Sequence, residues 1–191
     1  MYYGKLSYCD TTNGIGCRTV LFVSGCRHHC KECFNADTWN FKYGKPYDNE
    51  VKQRILESLK SSYIDGLTIL GGEPMEPENQ PYILDLVTDI KKTYPHKTIW
   101  IYSGYTFEEL IGQTSLRQDL TDNLTNKSIS CTACASEILK NIDILIDGEF
   151  HIQEKNLMLA FRGSANQRIL DVPKSIQAKK PILSHYMDID R

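Results

Sequence analysis

Three cysteines, Cys26, Cys30 and Cys33, fall within the stretch "GCRHHCKECFN" at residues 25–35. The spacing C-x-x-x-C-x-x-C gathers three soft thiolate ligands on one loop, which suits zinc or an iron-sulfur cluster and not a hard, oxygen-seeking cation. The set is one ligand short of four. Structural zinc completes four protein ligands, and His28 or His29, inside the same loop, would make a three-cysteine, one-histidine site. A cubane 4Fe-4S cluster is usually held by four thiolates; three would leave one iron open to a small molecule, and an open iron is a catalytic position. Spacing alone leaves both readings standing.

A second stretch with chemical character is "LGGEP" at 70–74, containing Gly71, Gly72 and Glu73. Glycines directly after a strand let a ligand approach the backbone and expose carbonyls to an ammonium donor. The loop is neither a P-loop nor a G-x-G-x-x-G fingerprint, and alone it would read as an ordinary strand-to-helix turn. "YSGY" (102–105) and "IDGEF" (146–150) end in the same manner. Ser103 could bond a polar ligand or cap the next helix, and Asp147 could reach a pocket or merely turn the chain. No Ser/His/Asp set and no paired carboxylates stand out.

What must position these residues is legible as alternation. Four nearly continuous apolar runs, "RTVLFVSG" (18–25), "GLTILGG" (66–72), "KTIWIYSG" (97–104) and "IDILIDG" (142–148), read as strands buried on both faces, each reaching a glycine. Between them, Ile83, Leu86, Val87 and Ile90 follow the spacing of one buried helix face over 80–93, with Pro81 in the first turn. Residues 48–60 place Val51, Ile55 and Leu59 on one stripe after Asp48 or Asn49 as cap, and Thr106 with Glu109 reads as a capping box. The class is therefore α/β with a mainly parallel sheet. Ligands of such sheets bind beyond the carboxyl ends of the strands, so the four glycine-ended loops should meet on one rim. Residues 112–141 are polar and weakly periodic, with a short helix expected near Ala135 to Lys140. The tail from Pro173 lacks a strong pattern.

Composition narrows the function classes. The 191 residues suit one domain and fall short of a full eight-fold barrel of about 250 residues. A net charge of −2, with 24% charged and 41% hydrophobic residues, offers no general attraction to nucleic acid or membrane. The first residues lack a signal-peptide core, and no apolar run nears the roughly 20 residues that span a bilayer, so a cytoplasmic protein is expected. Seven cysteines in a reducing compartment read as metal ligands or redox groups before disulfides. Cys131 and Cys134 form a C-x-x-C whose readings are incidental thiols, an intermolecular zinc site or a tie to Cys9 or Cys17.

Taken together, the cysteine triad and the "GGE" loop on the next strand resemble the radical S-adenosylmethionine superfamily. Within it, "NGIGCRTVLFVSGCRHHCKECFNADTW" (13–39), "GGEPMEPENQP" (71–81), "IWIYSGY" (99–105), "ILIDGEF" (144–150) and "RGSANQR" (162–168) are similar to the family of anaerobic ribonucleoside-triphosphate reductase activating proteins. The resemblance implies that Cys26, Cys30 and Cys33 bind three irons of one 4Fe-4S cluster and that S-adenosylmethionine chelates the fourth. It matches Glu32, Cys33 and Phe34 to the segment against the adenine, and Gly71, Gly72 and Glu73 to the loop receiving the methionyl amino group. Ser103 would bond the methionyl or ribose groups. Many members carry an aromatic residue before the third cysteine; here Glu32 occupies that place and Phe34 follows, which implies an adenine contact largely through backbone.

The implied reaction is reductive cleavage of S-adenosylmethionine to methionine and a 5′-deoxyadenosyl radical, which takes a hydrogen from a glycine of the partner reductase; no general base is required. An electron donor such as flavodoxin would reduce the cluster. The implied fold is an incomplete (β/α)6-type partial barrel over residues 1–170, followed by a peripheral extension at 171–191. Asn13, Gly14, Gly16 and Arg18 would belong to the pocket floor, the partner contact or an entry turn. Arg162 and Arg168 would contact the partner or stabilise the chain end, and His28 and His29 would be solvated bystanders. Two rivals stay open: a radical enzyme acting on a small molecule, such as a deazapurine-forming synthase, and a zinc-stabilised binding module.

Overall fold

The structure, a computed structural model, describes residues 1–113 and 133–189. The expected alternation is present. Strands β2 (Arg18–Val23), β4 (Gly66–Gly71), β5 (Thr98–Ser103) and β6 (Ile144–Asp147) lie side by side and parallel, with Leu21 opposite Ile69, Ile69 opposite Ile101 and Ile101 opposite Leu145. Three further strands complete a seven-stranded sheet of order β3-β1-β2-β4-β5-β6-β7. β1 (Tyr2–Asp10) runs antiparallel to β2, the short β3 (Lys45–Pro46) antiparallel to β1, and β7 (Arg168–Asp171) antiparallel to β6.

Local chemistry explains the helix starts. Asp48 caps α1 (Asn49–Leu59) by accepting from the Val51 N–H at 3.0 Å. Pro81 sits in the first turn of α2 (Gln80–Thr93), where its missing N–H costs nothing. Thr106 and Glu109 bond each other's backbone N–H at the start of α3 (Phe107–Leu110), a complete capping box. α4 (Ala133–Lys140) and α5 (Val172–Ala178) finish the set. One face of the sheet carries Leu21, Leu67, Ile69, Ile99, Ile101 and Leu145, packed under the apolar stripes of the helices, including Ile55, Ile83, Val87, Ile138 and Val172.

The opposite face is covered differently. Trp100, Ile144, Ile146 and Ile169 form a second apolar layer against Tyr102, Phe161, Tyr186 and Met187. Residues beyond Asp171 are thus folded back on the sheet: the Ser184 N–H bonds the Ile169 carbonyl at 2.8 Å, and the Tyr186 ring lies 5.2 Å from Trp100. None of the described helices is long and apolar enough to cross a membrane.

Candidate active site

The loops after β2 and β4 touch along their backbones. The Gly72 N–H bonds the Val23 carbonyl at 2.8 Å, and the Glu73 N–H bonds the Gly25 carbonyl at 2.7 Å. A Cβ on Gly72 would lie 2.6 Å from the Gly25 oxygen, far inside van der Waals contact, so this glycine is required by loop-on-loop packing. Gly71 is likewise backed against Val23. The cysteine loop and the "GGE" loop, 45 residues apart between Cys26 and Gly71, are therefore one structural unit.

Glu73 ties in a third strand end. Its buried carboxylate accepts from the Met75 N–H (2.8 Å), the Ser103 hydroxyl (2.9 Å) and the Gly104 N–H (2.7 Å). The Ser103 oxygen in turn accepts from the Tyr105 N–H at 3.1 Å. The side chains of Glu73 and Ser103 are thus spent on each other and on backbone, while the Gly71–Gly72 segment lines the cavity beside them.

His28 corrects the expectation of a solvated bystander. Its side chain is only 2% exposed; Nδ1 lies 2.7 Å from Glu149 Oε1 and Nε2 lies 3.3 Å from Glu73 Oε2. Burial alone would lower its pKa, but hydrogen bonds and charge from the two carboxylates push it up to about 9. The ring packs edge-on to Tyr105 and so close to Gly104 that a Cβ there would sit 2.7 Å from it. One imidazole thus joins the loops after β2, β4, β5 and β6. With carboxylates facing both nitrogens, His28 is no ligand for a zinc ion. His29 is exposed, as expected, and stacks 4.7 Å from Trp39. Arg27 adds a further clamp, bonding Glu76 and Glu78 at 2.5 Å each.

Cys26, Cys30, Cys33, Gly72, Tyr102 and Phe150 are among the residues that line one cavity of about 120 Å³. Cys26 is buried, while Cys30 and Cys33 are partly exposed. Burial first, then the charge of Glu73, pushes the Cys26 thiol up; burial and Glu149 push Cys30 up to about 11. Thiols so placed ionise only for a cation that replaces their protons, as iron does. Among the described residues no three Cys, His, Asp or Glu side chains converge as a single metal ion requires. A cubane instead spreads its thiolates over different irons around a body, so an all-sulfur triad lining a cavity fits it better than it fits one zinc. The indole Nε1 of Trp39, buried at this cavity, has no hydrogen-bond partner.

A second cavity of about 430 Å³ shares Cys33, Asn35, Leu70, Tyr102, Phe150 and Gln167 with the first and extends to Asn13, Phe34, Phe161 and Arg162. Its volume falls in the range of small-molecule sites. Phe34 is 60% exposed, with its ring 5.3 Å from Phe150 and the Lys155 ammonium 5.3 Å above it. Glu32 is exposed on a left-handed turn, φ +58°, before Cys33.

Other sequence candidates lie elsewhere. Arg18 is a strut, 1% exposed, donating to Thr68 (2.7 Å), Thr98 (2.9 Å) and the carbonyls of Leu67 and Thr98. Asp147 is fully buried and, with Glu108, holds Arg168. Arg162 bonds the carbonyls of Gln167 and Met187, which fastens the chain end. Cys9 in β1 and Cys17 just before β2, Cα atoms 4.8 Å apart, form a disulfide, where the sequence placed metal ligands or redox groups before disulfides. Cys134 lies on α4, partly buried; Cys131 falls outside the described residues.

Comparison with known proteins bears on the same residues. A family model described as a 4Fe-4S single cluster domain matches residues 12–170. The anaerobic ribonucleoside-triphosphate reductase-activating protein of Enterobacteria phage T4 is 38% identical over 171 residues, 88% of this chain and 93% of that protein. The proteins of the same name from Pasteurella multocida (39%, 88% and 96%) and Escherichia coli K12 (34%, 87% and 96%) are similarly related. Identity at this level across nearly the whole length of both partners, over a region that includes the thiol cavity and every loop built around it, places the chain in the family of anaerobic ribonucleoside-triphosphate reductase-activating proteins.

Proposed function

We propose that the chain is a radical S-adenosylmethionine activase that generates a glycyl radical on an anaerobic ribonucleoside-triphosphate reductase. The observation that carries this reading is the meeting, in a chain of that family, of three thiols with the Gly71–Gly72–Glu73 loop at the carboxyl ends of parallel strands. Cys26, Cys30 and Cys33 would hold three irons of a 4Fe-4S cluster, and the fourth would bind the amino and carboxylate groups of S-adenosylmethionine. The cofactor pair, when bound, supplies reductive cleavage of the sulfonium and the hydrogen abstraction that follows.

The chain's own residues bind, orient and shield. Gly71 and Gly72 offer backbone to the methionyl amino group, and Glu73 and Ser103 hold that backbone still through their mutual hydrogen bond. Cys33 and Phe34 line the larger cavity, and with Glu32, which directly precedes them, they form the segment against which the adenosyl group would lie and past which the reductase's glycine would have to enter. We propose with it the partial barrel that the resemblance implies: the parallel strands β2, β4, β5 and β6 would form its continuous wall, residues 1–170 the catalytic unit, and residues 171–191 a peripheral extension. A low-potential cytoplasmic carrier such as flavodoxin is the proposed electron donor.

The test is anaerobic reconstitution with iron and sulfide, followed by incubation with S-adenosylmethionine, dithionite and the reductase. A glycyl-radical doublet in the paramagnetic resonance spectrum is expected. Cleavage of S-adenosylmethionine with no doublet would favour a small-molecule substrate, and zinc uptake with no iron would overturn the radical reading.

A further inference from the structure

Buried donors almost always find an acceptor, and an indole N–H can only donate. Among the described residues four buried side-chain polar atoms that have no partner stand out: Trp39 Nε1, Tyr47 Oη, Tyr105 Oη and Asn166 Oδ1. Of these four residues, Trp39 alone lines the cavity that Cys26, Cys30 and Cys33 also line. Its placement is fixed by the cysteine loop itself. The Trp39 carbonyl accepts from the Cys26 N–H at 3.1 Å, and the ring is stacked against His29, 4.7 Å away. The short 3₁₀ turn Ala36–Trp39 that carries it is anchored by the Thr38 hydroxyl and N–H on the Asn35 carbonyl (2.6 and 2.9 Å). This firmly held donor has no acceptor within the protein, and a cluster held by Cys26, Cys30 and Cys33 would bring sulfur acceptors into the cavity that Trp39 lines.

We infer that Trp39 is a positioning and tuning residue that donates an Nε1–H hydrogen bond to a sulfur of the bound cluster, either a cysteine thiolate or a bridging sulfide. This rests on the 4Fe-4S reading above. Such a bond strengthens as negative charge accumulates on sulfur, so it favours the reduced cluster and raises the reduction potential. The buried Glu73 carboxylate, which lines the same cavity, disfavours an added electron, and a hydrogen bond to sulfur offsets part of that effect.

The experiment compares the reconstituted wild-type protein with Trp39→Phe, which keeps an aromatic ring and removes the N–H, and with Tyr47→Phe, which removes an unpartnered hydroxyl that lines neither cavity. Dithionite titration followed by paramagnetic resonance gives the midpoint of each. The expected result is equal iron content, an unchanged midpoint for Tyr47→Phe, and for Trp39→Phe a reduced-to-oxidised ratio about tenfold lower at a given potential, a fall of about 59 mV for one electron. An unchanged midpoint in Trp39→Phe with full iron would overturn the inference and leave the cluster reading intact. Failure of the wild type to form a 4Fe-4S cluster would instead overturn the reading on which it rests. If Trp39→Phe takes up no iron, the wild type labelled with nitrogen-15 in its indoles decides the matter. Electron-nuclear coupling from the reduced cluster to an indole nitrogen is expected, and its absence overturns the inference; the second tryptophan, Trp100, lies in the apolar layer and lines neither cavity.

Discussion

His28 Nε2 and Glu73 Oε2 lie 3.3 Å apart, with side chains 2% and 1% exposed. The cysteine loop is therefore joined to the "GGE" loop by a buried ionic contact as well as by backbone. Removing one member of a buried pair leaves the other charge uncompensated, which costs about 3 kcal/mol or more. His28→Phe keeps bulk and leaves Glu73 and Glu149 facing an apolar ring. Its unfolding free energy, measured by urea titration of the iron-free chain, should fall by that much and its midpoint fall accordingly, and His28→Gln, which still donates, should lose less. Equal midpoints for wild type and His28→Phe would show that the pair carries no stability.

How much of this was legible beforehand follows from where each signal resides. The strands β2, β4, β5 and β6 are buried on both faces and so read as apolar runs. β1 is half-exposed and built from tyrosines and polar residues, and β7 has four residues, so neither produces a period long enough to read. The cysteine triad announces itself because its ligands share one loop. The role of His28 depends on Glu149, 121 residues away, and that of Trp39 on the fold of the Asn35–Trp39 turn beside Cys26. Neither partner is marked by spacing. The Gly72 reading changed in kind: sequence suggested room for a ligand, and the fold adds that the Gly25 backbone occupies its Cβ position.

The seven cysteines should divide sharply. Cys26→Ala, Cys30→Ala and Cys33→Ala each remove a proposed ligand and should bring iron after anaerobic reconstitution to background, with loss of the brown absorbance. Cys9→Ala, Cys17→Ala and Cys134→Ala lie outside the thiol cavity and should bind iron as the wild type does. Full iron in any one of the first three would refute that ligand assignment.

Two glycines should differ in how they fail. In Gly72→Ala the new methyl meets backbone, 2.6 Å from the Gly25 oxygen and 3.0 Å from its nitrogen, so the two loops must part. Overpacking of this kind costs about 1–3 kcal/mol and should also reduce iron uptake, because the displaced strand end leads directly into Cys26. In Gly104→Ala the methyl meets the His28 ring at 2.7 Å, and relief comes by moving that side chain. Combining Gly104→Ala with His28→Gln should therefore cost less than the sum of the two, read by urea midpoints of the four proteins; strict additivity would contradict the contact.

Arg168 faces two carboxylates of opposite behaviour. Its guanidinium lies 2.5 Å from Asp147, which is fully buried, and 2.7 Å from Glu108, which is partly exposed. Burial raises the Asp147 pKa and Arg168 opposes that rise, whereas the Arg168 hydrogen bond holds Glu108 below its usual range. Glu108→Gln should cost no more than about 1 kcal/mol, since solvent screens a partly exposed pair. That contribution belongs to a lowered pKa, so it is present above the ordinary glutamate value and disappears as pH falls through the folded one. Arg168→Ala should cost about 3–5 kcal/mol near neutral pH because it leaves a buried carboxylate without its cation. In that variant the Asp147 pKa rises further, and a raised carboxylate destabilises only while ionised. The deficit should therefore shrink as pH falls through the raised Asp147 value of the variant, where the carboxylate takes up its proton. Urea unfolding of wild type and Arg168→Ala at stepped pH measures this, and a deficit that stays constant over the range would show that Asp147 is not its source.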